Sequence, residues 1–311
     1  MVKFLKNISL KKYSNFQIGN KAKYFFEAKN LKDLKQALLK AKKLNLKIFI
    51  LGGGTNILFK NDFNGLILKP NIKFIKSITK NIIRVGSGIL VSDFLNFLVK
   101  KELSGMEWAG GLPGTIGGAI RGNAGAFGGE IKDNLVKIKS IDLNSLKEVI
   151  RTKKECIFGY RFSIFKDLNI NELILWADFK FKKGNKNKIK KSILEKIEYR
   201  KLKHPMNYPN IGSIFKNVPI NKFKKTIFNK YNLKNFIKTD PEPVIPAAVL
   251  ISKCGLSNKK IGGAQISGKH SNFIININQA KAEDVLKLIN FVEKKIYQKF
   301  KIKLEREIVV L

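Results

Sequence analysis

Residues 111–130 read "GLPGTIGGAIRGNAGAFGGE". Eight of the twenty are glycine, three are alanine, and only Arg121 and Glu130 carry a charge. Such a segment ought to be loose, because glycine loses more conformational freedom on folding than any other residue. Yet Leu112, Ile116, Ile120 and Phe127 are threaded through it at intervals that suit packing. The pattern describes main chain that must approach something closely while apolar anchors hold it still. A second charge-poor cluster, "ILGGGTNILF" at 50–59, follows a run that reads as a buried strand. Consecutive glycines let successive N–H groups turn toward one anion. The cluster has neither the G-x-G-x-x-G spacing of a dinucleotide turn nor the lysine of a P-loop. Two such segments suit one extended ligand lying across both, and a dinucleotide has that shape. Glycines that merely permit tight packing are the alternative.

The 311 residues allow two or three folded units, and 44% hydrophobic content with 23 phenylalanines is enough for a sizeable core. No apolar run reaches the roughly 20 residues that span a bilayer. The start, "MVKFLKNISLKKY", lacks the features of a secretion signal. Cys156 and Cys254 give neither a disulfide framework nor metal-ligand spacing, so no metal is expected, and two lone thiols suit the cytoplasm. The net charge of +38 raises nucleic-acid binding. Its distribution argues against that: lysines run from Lys3 to Lys303 with no basic block or nucleic-acid motif, which fits compositional bias and solvated faces.

Helical spacing is clear in "NLKDLKQALLKAKKLNL", in "VSDFLNFLVKKEL" with Ser92 as its N-cap, in "PAAVLISKCG" and in "KAEDVLKLINFVEKKIYQKF". Strands are predicted at "KIFI", "GLILKP", "IIRVGSGI", "LVKIKSIDL", "ELILWADFKF", "SNFIINI" and "IKLEREIVVL". The stretch "KKGNKNKIKKSILEKIEYRKLKH" begins as a lysine-rich hinge and becomes a helix, which puts the main boundary near residue 184.

"GGGTN", "GLPGTIGGAIRGNAGAFGGEI", "GYRFS", "PNIGSIFKN", "IGGAQISGKHSNFIIN" and "LEREI" occur in the order seen in the UDP-N-acetylenolpyruvoylglucosamine reductases. The chain resembles the shorter, second type of that family from about Ile18 to Ile308. The resemblance implies an α+β fold: a two-part FAD-binding unit of the vanillyl-alcohol-oxidase kind, followed by an α+β substrate-binding domain. The parts are expected at 1–75 and 76–184 for FAD, 185–300 for substrate, and 301–311 as a C-terminal strand carrying a catalytic glutamate. It implies non-covalent FAD, cradled by Gly52, Gly53, Gly54, Thr55 and Asn56 on one side. Gly114, Thr115, Gly117, Gly118, Asn123 and Ala124 would line the other. NADPH is implied as co-substrate and a UDP-sugar as substrate, with no obligate protein partner.

The implied reaction puts a hydride on one carbon of an enolpyruvyl ether and a proton on its neighbour, with negative charge building in between. Arg161 in "GYRFS" matches the family's catalytic arginine, and a guanidinium grips a carboxylate through two hydrogen bonds. Ser213 in "PNIGSIFKN" matches the proton donor, and Glu307 in "LEREI" the catalytic carboxylate. Alternation along a strand does not separate Glu307 from Glu305. Tyr160, Lys203 and Asn217 match positions that hold the UDP-sugar, and His270 has no assigned chemistry. Thr55 replaces the commoner serine, His204 stands where glutamine is frequent, and "PNIGS" replaces "PSAGS"; none of these removes a catalytic group. Another FAD oxidoreductase of the same fold, acting on a sugar or alcohol, is the runner-up.

Overall fold

The computed structural model describes residues 2–239 and 242–311. The chain divides into two compact units. The first comprises Met1–Ile8, Lys21–Gly53 and Asp62–Tyr199, the second Ser9–Asn20, Gly54–Asn61 and Arg200–Leu311.

Two sheets organise the first unit. One has the order Leu5–Ser9, Lys21–Ala28, Phe63–Pro70, Ile48–Ile50, and both Lys21–Ala28 and Ile48–Ile50 run parallel to Phe63–Pro70. Parallel neighbours need a crossover. The helix Leu31–Lys43 supplies one, burying Leu34, Ala37, Leu38 and Ala41 on a single stripe. Asn30 starts it, its Oδ1 accepting the Asp33 N–H at 2.8 Å. The other sheet is antiparallel, in the order Glu148–Thr152, Leu135–Asp142, Glu172–Lys180, Ile82–Gly86, Ile75–Ser77. Phe94, Leu98, Ile116, Ile120, Ile138 and Phe179 fill a core against it.

The second unit gathers distant segments round the helix Ala282–Phe300, which buries Val285, Leu288, Ile289, Val292, Ile296 and Phe300 at helical spacing. Phe16, Ile18 and Leu58 complete that core. Full burial of a phenylalanine is worth about 1.5–3 kcal/mol, which is why residues 9–20 join this unit although their sequence neighbours do not. Val309–Val310 pairs in parallel with Ile57–Leu58, tying the chain's last residues to its first quarter.

Four expectations change. The first unit continues past residue 184 to Tyr199, because Ile189 is 4% exposed and packs inward; the lysine-rich stretch is the helix Lys186–Lys203, not a hinge. Ser92 is not an N-cap: the helix starts at Val91, whose N–H bonds Gly114 O, and Leu90 precedes it in extended conformation. Only Val309–Val310 is strand in the final stretch, Arg306 making a single bridge to Phe215. Phe127 is not an anchor; it is 42% exposed at a hairpin tip, its ring edge-on to Tyr199.

Candidate active site

In the first unit the two glycine clusters meet. The helix Ile116–Gly122 is capped by Thr115, whose Oγ1 accepts the Gly118 N–H at 3.3 Å, and it ends at Asn123 in the left-handed region. A Cβ on Gly53 would lie 2.7 Å from Gly114 Cα, and one on Gly52 would lie 3.2 Å from Thr115 Oγ1. Bare backbone is therefore required where the two turns touch. Gly117 donates to Ser87 O, and a Cβ there would meet Ser87 Cβ at 2.9 Å, whereas Gly118 is exposed. Ser87 is 2% exposed, and its hydroxyl has no hydrogen-bond partner among the described residues.

The "GYRFS" stretch forms a tight turn closed by reciprocal bonds, Gly159 N–H to Phe162 O at 3.0 Å and Phe162 N–H to Gly159 O at 3.1 Å. Arg161 takes φ 53° at its tip, a conformation that costs a non-glycine residue on the order of 1–3 kcal/mol. Its surroundings hold it there. Lys166 Nζ donates to Arg161 O at 2.6 Å, and the guanidinium lies 5.0 Å from the Tyr160 ring centre. Asn123, fully buried, donates from Nδ2 to Gly159 O and accepts the Lys132 N–H. Gly125 opens room for the arginine: a Cβ there would come within 3.2 Å of Arg161 Nη1 and 2.8 Å of Glu130 Cγ.

In the second unit, Ser213 follows Gly212 (φ 82°) and forms an antiparallel bridge with Phe273. Glu307 N–H donates to Ile214 O, and Lys216 N–H to Glu305 O, both at 2.8 Å, so the serine and glutamate stretches share one ladder. The two carboxylates now part company. Glu305 ion-pairs with Lys216 Nζ at 2.5 Å with its side chain 60% exposed, while Glu307 is half-buried. Asn56 donates from Nδ2 to Glu307 O, and its own carbonyl accepts the Val309 N–H. Gly54 is buried with φ 68°, and a Cβ there would clash with Tyr13 O at 1.9 Å. Asn217 Oδ1 accepts the Ala247 N–H at 3.2 Å, and Lys203 is exposed at the end of its helix. His204 and His270 flank Phe273, with ring centres 5.0 and 4.8 Å from it. Burial pushes each imidazole down to about 4, helped at His204 by His270 and at His270 by Lys238.

An FAD binding domain model matches residues 22–145, and the model for the UDP-N-acetylenolpyruvoylglucosamine reductase C-terminal domain matches 204–311. The UDP-N-acetylenolpyruvoylglucosamine reductase of Fusobacterium nucleatum is 36% identical over the whole of both chains. That of Fervidobacterium nodosum is 36% identical over 97% of this chain and 90% of its own. The chain belongs to the UDP-N-acetylenolpyruvoylglucosamine reductase family. The crystal structure of the Thermus caldophilus reductase superposes with a TM-score of 0.78 at 25% identity, covering 100% of this chain and 99% of that one. The reductase family places the chain among FAD-dependent oxidoreductases, with an α+β fold that includes an FAD-binding domain.

The glycine clusters fit that cofactor. The amides of Gly52, Gly53, Gly54 and Thr55 donate to no protein acceptor among the described residues, which is what a diphosphate asks of backbone. No acidic side chain stands in 50–59 or 111–129, and the Ser87 hydroxyl offers a further polar atom beside Gly117. Three other residues of the expected cradle also bond within the protein. Asn123 holds the "GYRFS" turn, Asn56 holds Glu307, and Ala124 bridges Ala119 O and the Ile131 N–H. Arg161 and Tyr160 belong to the first unit; Ser213, Glu307, Asn217 and Lys203 belong to the second. The motifs assign no role to Ser87, Asn210 or Asn272, although Asn210 stands inside "PNIGSIFKN" and Asn272 inside "GKHSNFIIN". Nothing in the sequence distinguishes a buried asparagine from an exposed one.

Proposed function

We propose that the chain reduces UDP-N-acetylenolpyruvoylglucosamine to UDP-N-acetylmuramate with electrons from NADPH, a step of peptidoglycan precursor synthesis. Bound FAD, held by Gly52–Thr55 and the 114–118 turn, supplies the hydride. Residues 1–75 and 76–184 serve the cofactor, and the part of the second unit from Arg200 onward serves the substrate. Arg161, always protonated and held in its turn by Lys166 and Asn123, grips the substrate carboxylate and stabilises the charge that builds beside it. Ser213 Oγ gives its proton to the adjacent carbon, an acceptor basic enough to take it from a hydroxyl. Glu307 orients the reacting end, while Tyr160, Lys203 and Asn217 hold the UDP-sugar.

The observation that carries this reading is the shared ladder that keeps Glu307 one residue from Ser213, with Glu305 turned aside to Lys216. The test separates two half-reactions. Ser213→Ala should leave flavin reduction by NADPH at the wild-type rate and slow reoxidation by the enolpyruvyl sugar nucleotide by about 10²–10⁴-fold. Normal reoxidation in stopped-flow removes the serine from the mechanism, and NADPH oxidation that ignores the sugar nucleotide removes the substrate assignment.

A further inference from the structure

The segment "GKHSNFIIN" supplies no group to the proposed chemistry, yet one of its side chains grips the extended segment that bears Ser213. Asn272 is 3% exposed. Its main-chain oxygen accepts the Ile214 N–H at 2.8 Å; its side chain accepts the Phe215 N–H at 3.0 Å and donates from Nδ2 to Phe215 O at 2.8 Å. Those last two bonds are what a peptide unit of a neighbouring strand would make. An ordinary antiparallel ladder continuing from the Ser213–Phe273 bridge would pair Phe215 with Ser271. The chain instead turns away, Ser271 Oγ lying 2.8 Å from Ser257 Oγ, and the asparagine amide takes the missing strand's place.

On the opposite edge, Glu307 N–H bonds Ile214 O and Lys216 N–H bonds Glu305 O. The N–H groups of Ile214, Phe215 and Lys216 and the carbonyls of Ile214 and Phe215 are therefore all engaged. Upstream, Asn210 (7% exposed) accepts the Gly212 N–H at 3.0 Å and donates to Tyr208 O at 2.9 Å. Fixing a donor to within a fraction of an ångström needs such a supporting shell, because a small misplacement costs a large factor in rate.

We infer that Asn272 is a positioning residue: its side-chain amide fixes the Ser213–Phe215 backbone against Glu305–Glu307 and so sets where the proton donor stands. This rests on the reading that Ser213 delivers the proton. Asn272→Asp keeps shape and acceptor but puts an oxygen where Nδ2 faced Phe215 O. Stopped-flow traces of the holoenzyme should show flavin content and NADPH-driven reduction unchanged. Reoxidation by the enolpyruvyl sugar nucleotide should be slowed by about 10–100-fold with KM within a factor of about three, and the solvent deuterium isotope effect on that step should rise. In a Ser213→Ala background the same substitution should add less than about twofold, because its effect passes through the serine.

A multiplicative effect in that background, or slowing of both half-reactions alike, overturns the inference. Where Asn272→Asp does not hold flavin, Asn272→Gln is read in the same way; flavin loss in both assigns the residue to the fold and also overturns it. If Ser213→Ala alone reoxidises normally, the underlying reading fails. If only the Asn272 variants do, that reading stands and this inference falls.

Discussion

Replacing Gly53 with alanine tests whether the two glycine clusters are a cradle or only a packing contact. An ideal Cβ at 53 lies 2.7 Å from Gly114 Cα and 3.4 Å from both Gly114 C and Thr115 N. Carbon atoms settle at about 3.5–4.0 Å, so the two turns must part by about 1 Å, and the obstacle is backbone, which has no rotamer to escape into. Gly53 does not have positive φ, so the substitution brings crowding without dihedral strain. Overpacking of this kind costs about 1–3 kcal/mol, and at 1.4 kcal/mol per tenfold it should weaken FAD binding by about 5–150-fold. Gly52→Ala meets a side chain instead, Thr115 Oγ1 at 3.2 Å, and should cost less than about tenfold. Gly122→Ala meets nothing within 4 Å and lies in a helix, so it should leave affinity alone and stabilise the apoprotein by up to about 1 kcal/mol. Titration of apoprotein with FAD, followed by quenching of flavin fluorescence, ranks the three; circular dichroism melts check their folds. A Gly53→Ala chain that binds FAD within twofold of wild type, or any other ranking, refutes the reasoning.

The two C-terminal carboxylates should behave differently. Glu305→Gln breaks an exposed ion pair worth about 0–1 kcal/mol and should change turnover by less than about twofold, whereas Glu307→Gln should slow reoxidation by at least about 10²-fold with flavin retained. Equal losses in steady-state assays would refute the distinction. Arg161→Lys keeps the charge but loses the paired hydrogen bonds, so reoxidation should slow by about 10–10³-fold at unchanged flavin content; full activity would show that a point charge suffices. Stability should also depend on the histidines. Folding holds both imidazoles neutral down to about 4, whereas the unfolded chain protonates them near 6.5. Stability is thus on its plateau above pH about 6.5 and falls as pH drops toward about 4, on the order of 3 kcal/mol for His270 and less for the more exposed His204. Urea midpoints across that range measure it; if His270→Gln leaves the slope unchanged, the histidine is not its source.

Much of the fold is legible in the sequence itself. The helices Leu31–Lys43 and Ala282–Phe300 announce themselves because their apolar stripes are local patterns, and the glycine clusters because bare backbone has few other uses. What the sequence hides depends on contacts between distant residues. Ser92 is a good capping residue by type, but Gly114 O pairs with the Val91 N–H and the cap moves two residues earlier, to Leu90. "IKLEREIVVL" has strand composition, yet it finds a partner only where Ile57–Leu58 and the Ser213 segment come alongside. Phe127 looks like an anchor until the hairpin Gly125–Ala126 with Gly129–Glu130 turns it outward. Motif order points to Ser213 and Glu307; what it does not show is that Glu305 pairs with Lys216 while the Glu307 N–H bonds Ile214 O.

The parallel pairing of Val309–Val310 with Ile57–Leu58 has a bearing on synthesis. A ribosome delivers residues 54–61 long before residues 307–310, so in the interval Ile57–Leu58 waits as an open edge and Asn56 lacks the Glu307 carbonyl it will later hold. Closure of this unit waits until residues 309 and 310 have emerged. Nascent chains stalled short of residue 309 should therefore be far more open to protease around 54–61 than chains in which residues 309 and 310 have emerged.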